Sequence, residues 1–255
     1  MQLKFVLFAI LVAAFEIVSA TNYCDTSLCS SDQHIACNNT GNFASSCQNA
    51  ALASLTQETK NLIVSAHNTK RNTVAGGSTA LEPACRMATM TWDDELAFLA
   101  ELNVKQCQMR HDACHNTDAF QYSGQNLAWI GFYGSADIAS LAQQSVDLWY
   151  DEIEDTTMDY INSYPNNYQG PTIGHFTVMV ADRNIKVGCA ASTYSVSGQS
   201  YKAFLFACNY ATTNMINFPI YTSCETAASN CTTGNNPDFS SLCSVSEEYD
   251  VNKWV

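Results

Sequence analysis

The chain carries a net charge of −13 over 255 residues, with 47% hydrophobic content, enough to bury one good core in a single ordinary domain with decorated ends. No basic cluster occurs, which excludes nucleic acid and anionic membrane surfaces as natural partners. The twelve cysteines contain no C-x-x-C pair, which argues against cysteine-bound zinc; an even count in a secreted chain reads as up to six disulfides.

Residues 1–20 read as a secretory signal peptide. Lys4 follows a short polar start, Phe5 to Phe15 are apolar, and Val18-Ser19-Ala20 gives the small-x-small cleavage pattern. The stretch is too short for a membrane span, and no later run of about eighteen apolar residues exists. A secreted product without a membrane span is therefore expected. Residues 21–54 hold Cys24, Cys29, Cys37 and Cys47 among small polar residues, with little hydrophobic period. Such a segment cannot make its own core and has to be stapled to something. Asn38 in CNNT and Asn230 in SNCT are N-glycosylation sequons, each beside a cysteine on an expected surface loop.

The body spans 55–218. Thr56 is a reasonable N-cap for a helix marked by Leu62, Ile63, Ala66 and Val74 and stopped at Gly76-Gly77. In TWDDELAFLAELNVKQC, Thr91 or Asp93 can cap a second helix whose buried side carries Leu96, Leu99 and Val104. GQNLAWIGF, bounded by glycines, predicts a central strand that Gln125 opens. SADIASLAQQSVDLWYDEIED predicts a third helix with Ile138, Leu141, Val146, Leu148 and Trp149 inward. Residues 155–174 predict a loop, and IKVGCAASTYSV with SYKAFLFACNY a hairpin turning at Ser197-Gly198-Gln199. Helices interleaved with antiparallel strands give an α+β layered domain. A polar tail, 219–255, carries Cys224, Cys231 and Cys243.

Five histidines are the main candidates for chemistry. His34 is expected to be solvated and His67 to be a hydrogen-bonded core residue. HDACH places His111 and His115 four apart, the spacing of H-E-x-x-H zinc sites, but Asp replaces Glu and Cys114 suits a disulfide. His175 follows a glycine and precedes the apolar FTVMV, so a buried ring there needs partners, with Glu152, Gln125 and His111 the plausible ones. Spacing alone does not bring these four together, and satisfied core polar groups are the plainer reading of it.

GHFTVMVADRN and LFACNYATTN resemble the two signature motifs of the CAP superfamily, which comprises cysteine-rich secretory, antigen 5 and plant pathogenesis-related proteins. AHNTKR, CQMRHDAC, GQNLAW and LWYDEI match its other landmarks in order, and the leader NYCDTSLCSSDQHIAC resembles the insect venom allergen antigen 5 branch. The resemblance covers residues 22–218. It implies a three-layer α-β-α sandwich around a central antiparallel sheet, and a cleft where His111, Gln125, Glu152 and His175 meet. In relatives the two histidines can bind a divalent metal, typically zinc. It also implies Cys24–Cys37, Cys29–Cys114, Cys47–Cys107 and Cys189–Cys208; the remaining four cysteines can pair in three ways, with Cys231–Cys243 and Cys85–Cys224 preferred for the short local loop and the tied tail.

Three departures bear on function. Gln125 stands where relatives have an acid, so it can orient an imidazole but neither ionise nor balance a cation. Val178 and Ala181 replace a Gln and a Trp, and ATTN is one residue shorter than the usual G-P-x-G-N. The resulting expectation is a secreted, monomeric, non-catalytic binding protein for a small lipid or an extracellular protein, with no required cofactor and zinc held weakly if at all. The alternative is a metal-dependent hydrolase with His111 and His175 as ligands and Glu152 activating water. No G-x-S-x-G nucleophile occurs, and Arg-Gly-Asp and Lys-Gly-Asp are absent. Three cysteines in the short tail are too few for the cysteine-dense domain of channel-blocking relatives.

Overall fold

The computed structural model describes residues 21–30 and 32–254, so the signal peptide read at 1–20 lies outside the described residues. In chain order the elements are β1 (Gln48–Ala53), α1 (Gln57–Ala75), β2 (Thr91–Trp92), α2 (Asp94–Val104), β3 (Gly124–Phe132), α3 (Ile138–Tyr150), α4 (Met158–Asn162), α5 (Gly174–Val180), β4 (Lys186–Ser195) and β5 (Lys202–Tyr210). A 3₁₀ turn over Asp151–Asp155 extends α3.

Local signals set the helix ends. Thr56 caps α1 by accepting from the Thr59 amide, and Asp93, not Thr91, caps α2 by accepting from Leu96. Thr91 instead joins β2, which runs parallel to β4. The five-stranded sheet has the order β1-β4-β5-β3, with β2 beside β4, and every other pairing is antiparallel.

β5 explains the layering. Phe204, Phe206, Cys208 and Tyr210 enter the larger core with α1, α3 and α5, while Ala203, Leu205 and Ala207 meet Ala100 and Val104 of α2 on the other face. Both faces are covered, so KAFLFACNY reads as a continuous apolar run instead of alternating. The fold is an α-β-α sandwich of the α+β class. A Cβ on Gly188 would lie 2.2 Å from the Ala97 nitrogen and 2.3 Å from the Asp93 carbonyl oxygen. Only glycine lets the first turn of α2 lie directly on β4.

Several expectations are corrected. GQNLAWIGF lies at the sheet edge, not its centre, because the β4–β5 hairpin inserts between it and β1. The end of the leader forms strand β1, held by its ladder to β4 with no apolar period of its own. Leu148 is 51% exposed: the buried stripe of α3 runs through Ala142, Val146 and Trp149, and a residue next to Trp149 points about 100° away. The stretch 155–174 is not all loop, since α4 buries Ile161 completely. His34 is buried, stacked on Tyr23 at 4.9 Å, with Nε2 donating to the Asn116 carbonyl and Nδ1 accepting from the Ala36 amide. The imidazole thus docks the leader on the body.

Six disulfides join Cys24–Cys37, Cys29–Cys114, Cys47–Cys107, Cys85–Cys224, Cys189–Cys208 and Cys231–Cys243. Two tie the leader to the 107–114 loop, and Cys85–Cys224 ties the tail to the body.

Arg71 of α1 is wholly buried and forms no ion pair among the described residues. Its guanidinium donates to the carbonyls of Ala88, Met179 and Ala181, joining α1 to the chain entering β2 and to the end of α5. Burial lowers its pKa to about 10, so it stays charged at neutral pH. Arg71→Met should cost on the order of 3 kcal/mol or more, because several buried carbonyls lose donors at once. Arg71→Lys should recover only part of that, since an ammonium cannot reproduce the planar fork. Denaturant unfolding with disulfides intact measures both, and near-wild-type stability in Arg71→Met would refute the role.

Burial also holds His67 at about 4, below its ordinary 6.5. Between those values the unfolded chain binds a proton that the folded one refuses, so stability falls as pH drops from 6.5 to 4. His34 and His115, lowered by burial, act in the same sense. His67→Leu should be less stable at pH 7.5 yet show a shallower loss of stability across that window; an unchanged slope would remove His67 from the account.

Candidate functional site

The indole of Trp149 donates to the Leu127 carbonyl, which pins the end of α3 against β3. The 3₁₀ turn that follows carries Glu152 beneath the start of α5. Glu152 Oε1 accepts from His175 Nδ1 at 2.5 Å, and Oε2 accepts from the Phe176 amide at 3.0 Å. A carboxylate only accepts, so His175 carries its proton on Nδ1 and presents Nε2 as a lone pair. The ring stacks on Trp149 at 6.3 Å and its side chain is 25% exposed.

A buried chain of hydrogen bonds sets the backbone beneath that ring. His67 Nδ1 donates to the Ile63 carbonyl, so its Nε2 accepts from the Tyr210 hydroxyl at 2.9 Å. The Tyr210 oxygen accepts from Asn126 Nδ2 at 3.2 Å, and the same amide nitrogen donates to the His175 carbonyl at 3.0 Å. Every proton direction in this chain is forced by an acceptor-only neighbour.

Gln125 is oriented just as firmly. Its amide nitrogen donates to Asp112 Oδ2 at 2.8 Å and to Asn209 Oδ1 at 2.9 Å. Its carbonyl oxygen therefore faces the Asp112 amide at 3.3 Å and His111 Nδ1 at 3.0 Å. His111 must donate from Nδ1, which frees its Nε2 as a second lone pair. Asp112 Oδ1 accepts from Asn103 and Gln106, so its buried carboxylate is satisfied by neutral amides.

His111, Gln125, Asn126, His175, Val178 and Asn214 line one open hollow of about 350 Å³. Glu152 does not face it; it stands behind His175. Ala181 is buried in the main core, so the place of the missing indole is closed, not open. Asp112 and Asn126 were not singled out as site residues from the sequence. HDACH drew notice only as a zinc spacing, and it lies in a loop, not on a helix. Its second histidine, His115, also borders the hollow; neither ring nitrogen makes a hydrogen bond, and Nδ1 lies 3.8 Å from Asp112 Oδ2.

Two imidazole lone pairs can hold a divalent cation only loosely, because zinc sites use three or four protein ligands. Glu152 has both oxygens engaged and Gln125 is neutral. Cys29, His34 and Cys114 bring ligand atoms within 4.8 Å of one another, but the sulfurs share a disulfide and offer no thiolate. Among the described residues no helix is long and apolar enough to cross a membrane.

Comparison with known proteins agrees with this fold. Residues 64–210 match the model of the cysteine-rich secretory protein family, CAP. The chain is 42% identical to Venom allergen-1 of Aedes albopictus, over 89% of this chain and 88% of that one. It is 41% identical to Antigen 5 like allergen Cul n 1 of Culicoides nubeculosus, over 73% of this chain and 90% of that one. The crystal structure of NaASP2 with Zn2+ superposes with a TM-score of 0.61 at 26% identity, covering 74% of this chain and 96% of that one.

The forced proton positions are testable. Nitrogen-15 spectra at pH 8 should show His111 and His175 as Nδ1–H tautomers. Asp112→Ala combined with Asn209→Ala should release the Gln125 amide and mix the His111 tautomers while leaving His175 unchanged; a fixed His111 tautomer in that double variant would mean that neither residue takes part in orienting it.

Proposed function

The chain belongs to the cysteine-rich secretory protein (CAP) family, and from that premise we propose that it is a secreted, non-catalytic binding protein that engages a small ligand, such as a lipid, or an extracellular protein through the His111–His175 cleft. One observation carries the reading: both carboxylates beside the cleft are consumed by structure. Glu152 has one oxygen on the His175 ring and the other on the Phe176 amide, and Asp112 accepts from three side-chain amides. A general base must reach a water bound in the cleft, and both acids turn their oxygens to structural partners while neither lines the hollow. The hydrolase alternative is therefore the weaker of the two.

The disulfide framework supports the same reading, since a rigid scaffold loses little order on binding and suits recognition outside the cell. A divalent cation, where bound, would be held by Nε2 of His111 and His175 and would supply positive charge to a cleft otherwise rich in acceptors. The neutral Gln125 leaves that charge less balanced than an acid would, so affinity is low.

Calorimetry should find zinc binding weaker than micromolar and abolished in His175→Ala without loss of fold. Submicromolar binding that survives His175→Ala would overturn the assignment. No turnover of generic peptide or ester substrates is expected; turnover lost in Glu152→Ala would restore the hydrolase. Native mass spectrometry of protein from its source would identify a retained lipid or metal.

A further inference from the structure

One sequon lies beside the cleft. Asn38 follows Cys37 on an exposed turn at φ +55°, a left-handed conformation that asparagine tolerates better than most residues. It borders a cavity of about 690 Å³ between the leader and the 106–113 loop, along with Gln33, Gln106, Arg110 and His111. That volume lies within the usual range for small-molecule sites. His111 lines this cavity on one side and the 350 Å³ hollow on the other, so a single imidazole stands between them.

The lining fits a sugar better than an apolar ligand. Gln106 spends its amide nitrogen on Asp112 and keeps its carbonyl oxygen for another donor. Arg110 forms no ion pair among the described residues, in a chain where cations are scarce. Asp112, the carboxylate on this wall, is saturated. Hydroxyl and N-acetyl groups, which donate and accept at short spacing, match such a surface. The sequon is also set up locally. Asn39 is locked by bonds to the Ile35 carbonyl and the Gly41 amide, while Asn38 Nδ2 has only a long contact, 3.6 Å, to the Cys37 sulfur. A glycosidic bond at that nitrogen disrupts nothing the fold depends on.

We propose that this cavity seats the chain's own Asn38-linked glycan. The innermost N-acetylglucosamine lies against Gln106 and Arg110 and covers the leader side of His111, leaving the cleft open only from the side of Thr172 and Thr213. Glycosylation then decides from which direction a ligand reaches His111. The proposal rests on the secreted reading above, and the experiment separates the two.

The full chain is secreted from insect cells, its Asn38 peptide is analysed by mass spectrometry, and histidine acylation by diethyl pyrocarbonate is followed residue by residue. Asn38 should carry a glycan, and His111 should react severalfold more slowly than in Thr40→Ala or Asn38→Gln, with His175 equal in all three. Trimming to a single sugar should keep the protection, and complete removal should abolish it. A glycan at Asn38 with His111 reacting equally in every form overturns the seat but leaves the secreted reading standing. Secreted protein with bare Asn38 overturns the inference, and failure of the chain to be secreted overturns both.

Discussion

A single buried cation organises the larger core. The Arg71 guanidinium joins two backbone segments to its own helix, and among the described residues no carboxylate lies within ion-pair distance of it. The partial negative charges of carbonyls face it instead, including those at the end of α5. A side chain with a rigid fork of donors can satisfy several acceptors only if they converge, so α1, the chain before β2 and the end of α5 are fixed together. The cost of burying the charge is recovered only in that arrangement, which makes it selective as well as stabilising.

The cleft follows from this. With the end of α5 fixed by Arg71 and its start held by Glu152, His175 has little freedom left. Its backbone is tied through Asn126 and Tyr210 back to His67 on the same helix as Arg71. His111 is oriented from an independent source, the loop–strand pair of Asp112 and Gln125. The two imidazoles present equivalent nitrogens, yet one is backed by a carboxylate and the other by an amide. The cleft is thus geometrically paired but chemically lopsided.

The ends of the chain have no cores of their own and depend on polar clamps. The leader is held by His34, β1 and its bridges. The tail buries the Glu247 carboxylate among Thr232, Thr233 and Arg86. Burial alone would raise its pKa, but hydrogen bonds from the two threonines and from Arg86 outweigh it and hold the carboxyl at about 2. Five of the six disulfides then secure the leader and the tail, while Cys189–Cys208 joins β4 to β5 inside the core.

Local signals in the chain already specified the start of α1 at Thr56, its end at Gly76-Gly77, the β4–β5 hairpin and the apolar run of β5. Each rests on residues within one turn or one strand, so no distant contact was needed to read them. The motifs likewise resembled a family, and that resemblance implied that positions 111, 125, 152 and 175 meet; 111, 125 and 175 line one hollow, with 152 behind. Tertiary structure alone decided the rest: that β3 is an edge, that β1 exists, that His34 is buried and Leu148 is not, that Asp112 stands behind Gln125, and that Glu152 has no free oxygen. These depend on which groups far apart in sequence arrive within hydrogen-bonding distance, and periodicity along a chain carries no record of its neighbours across space.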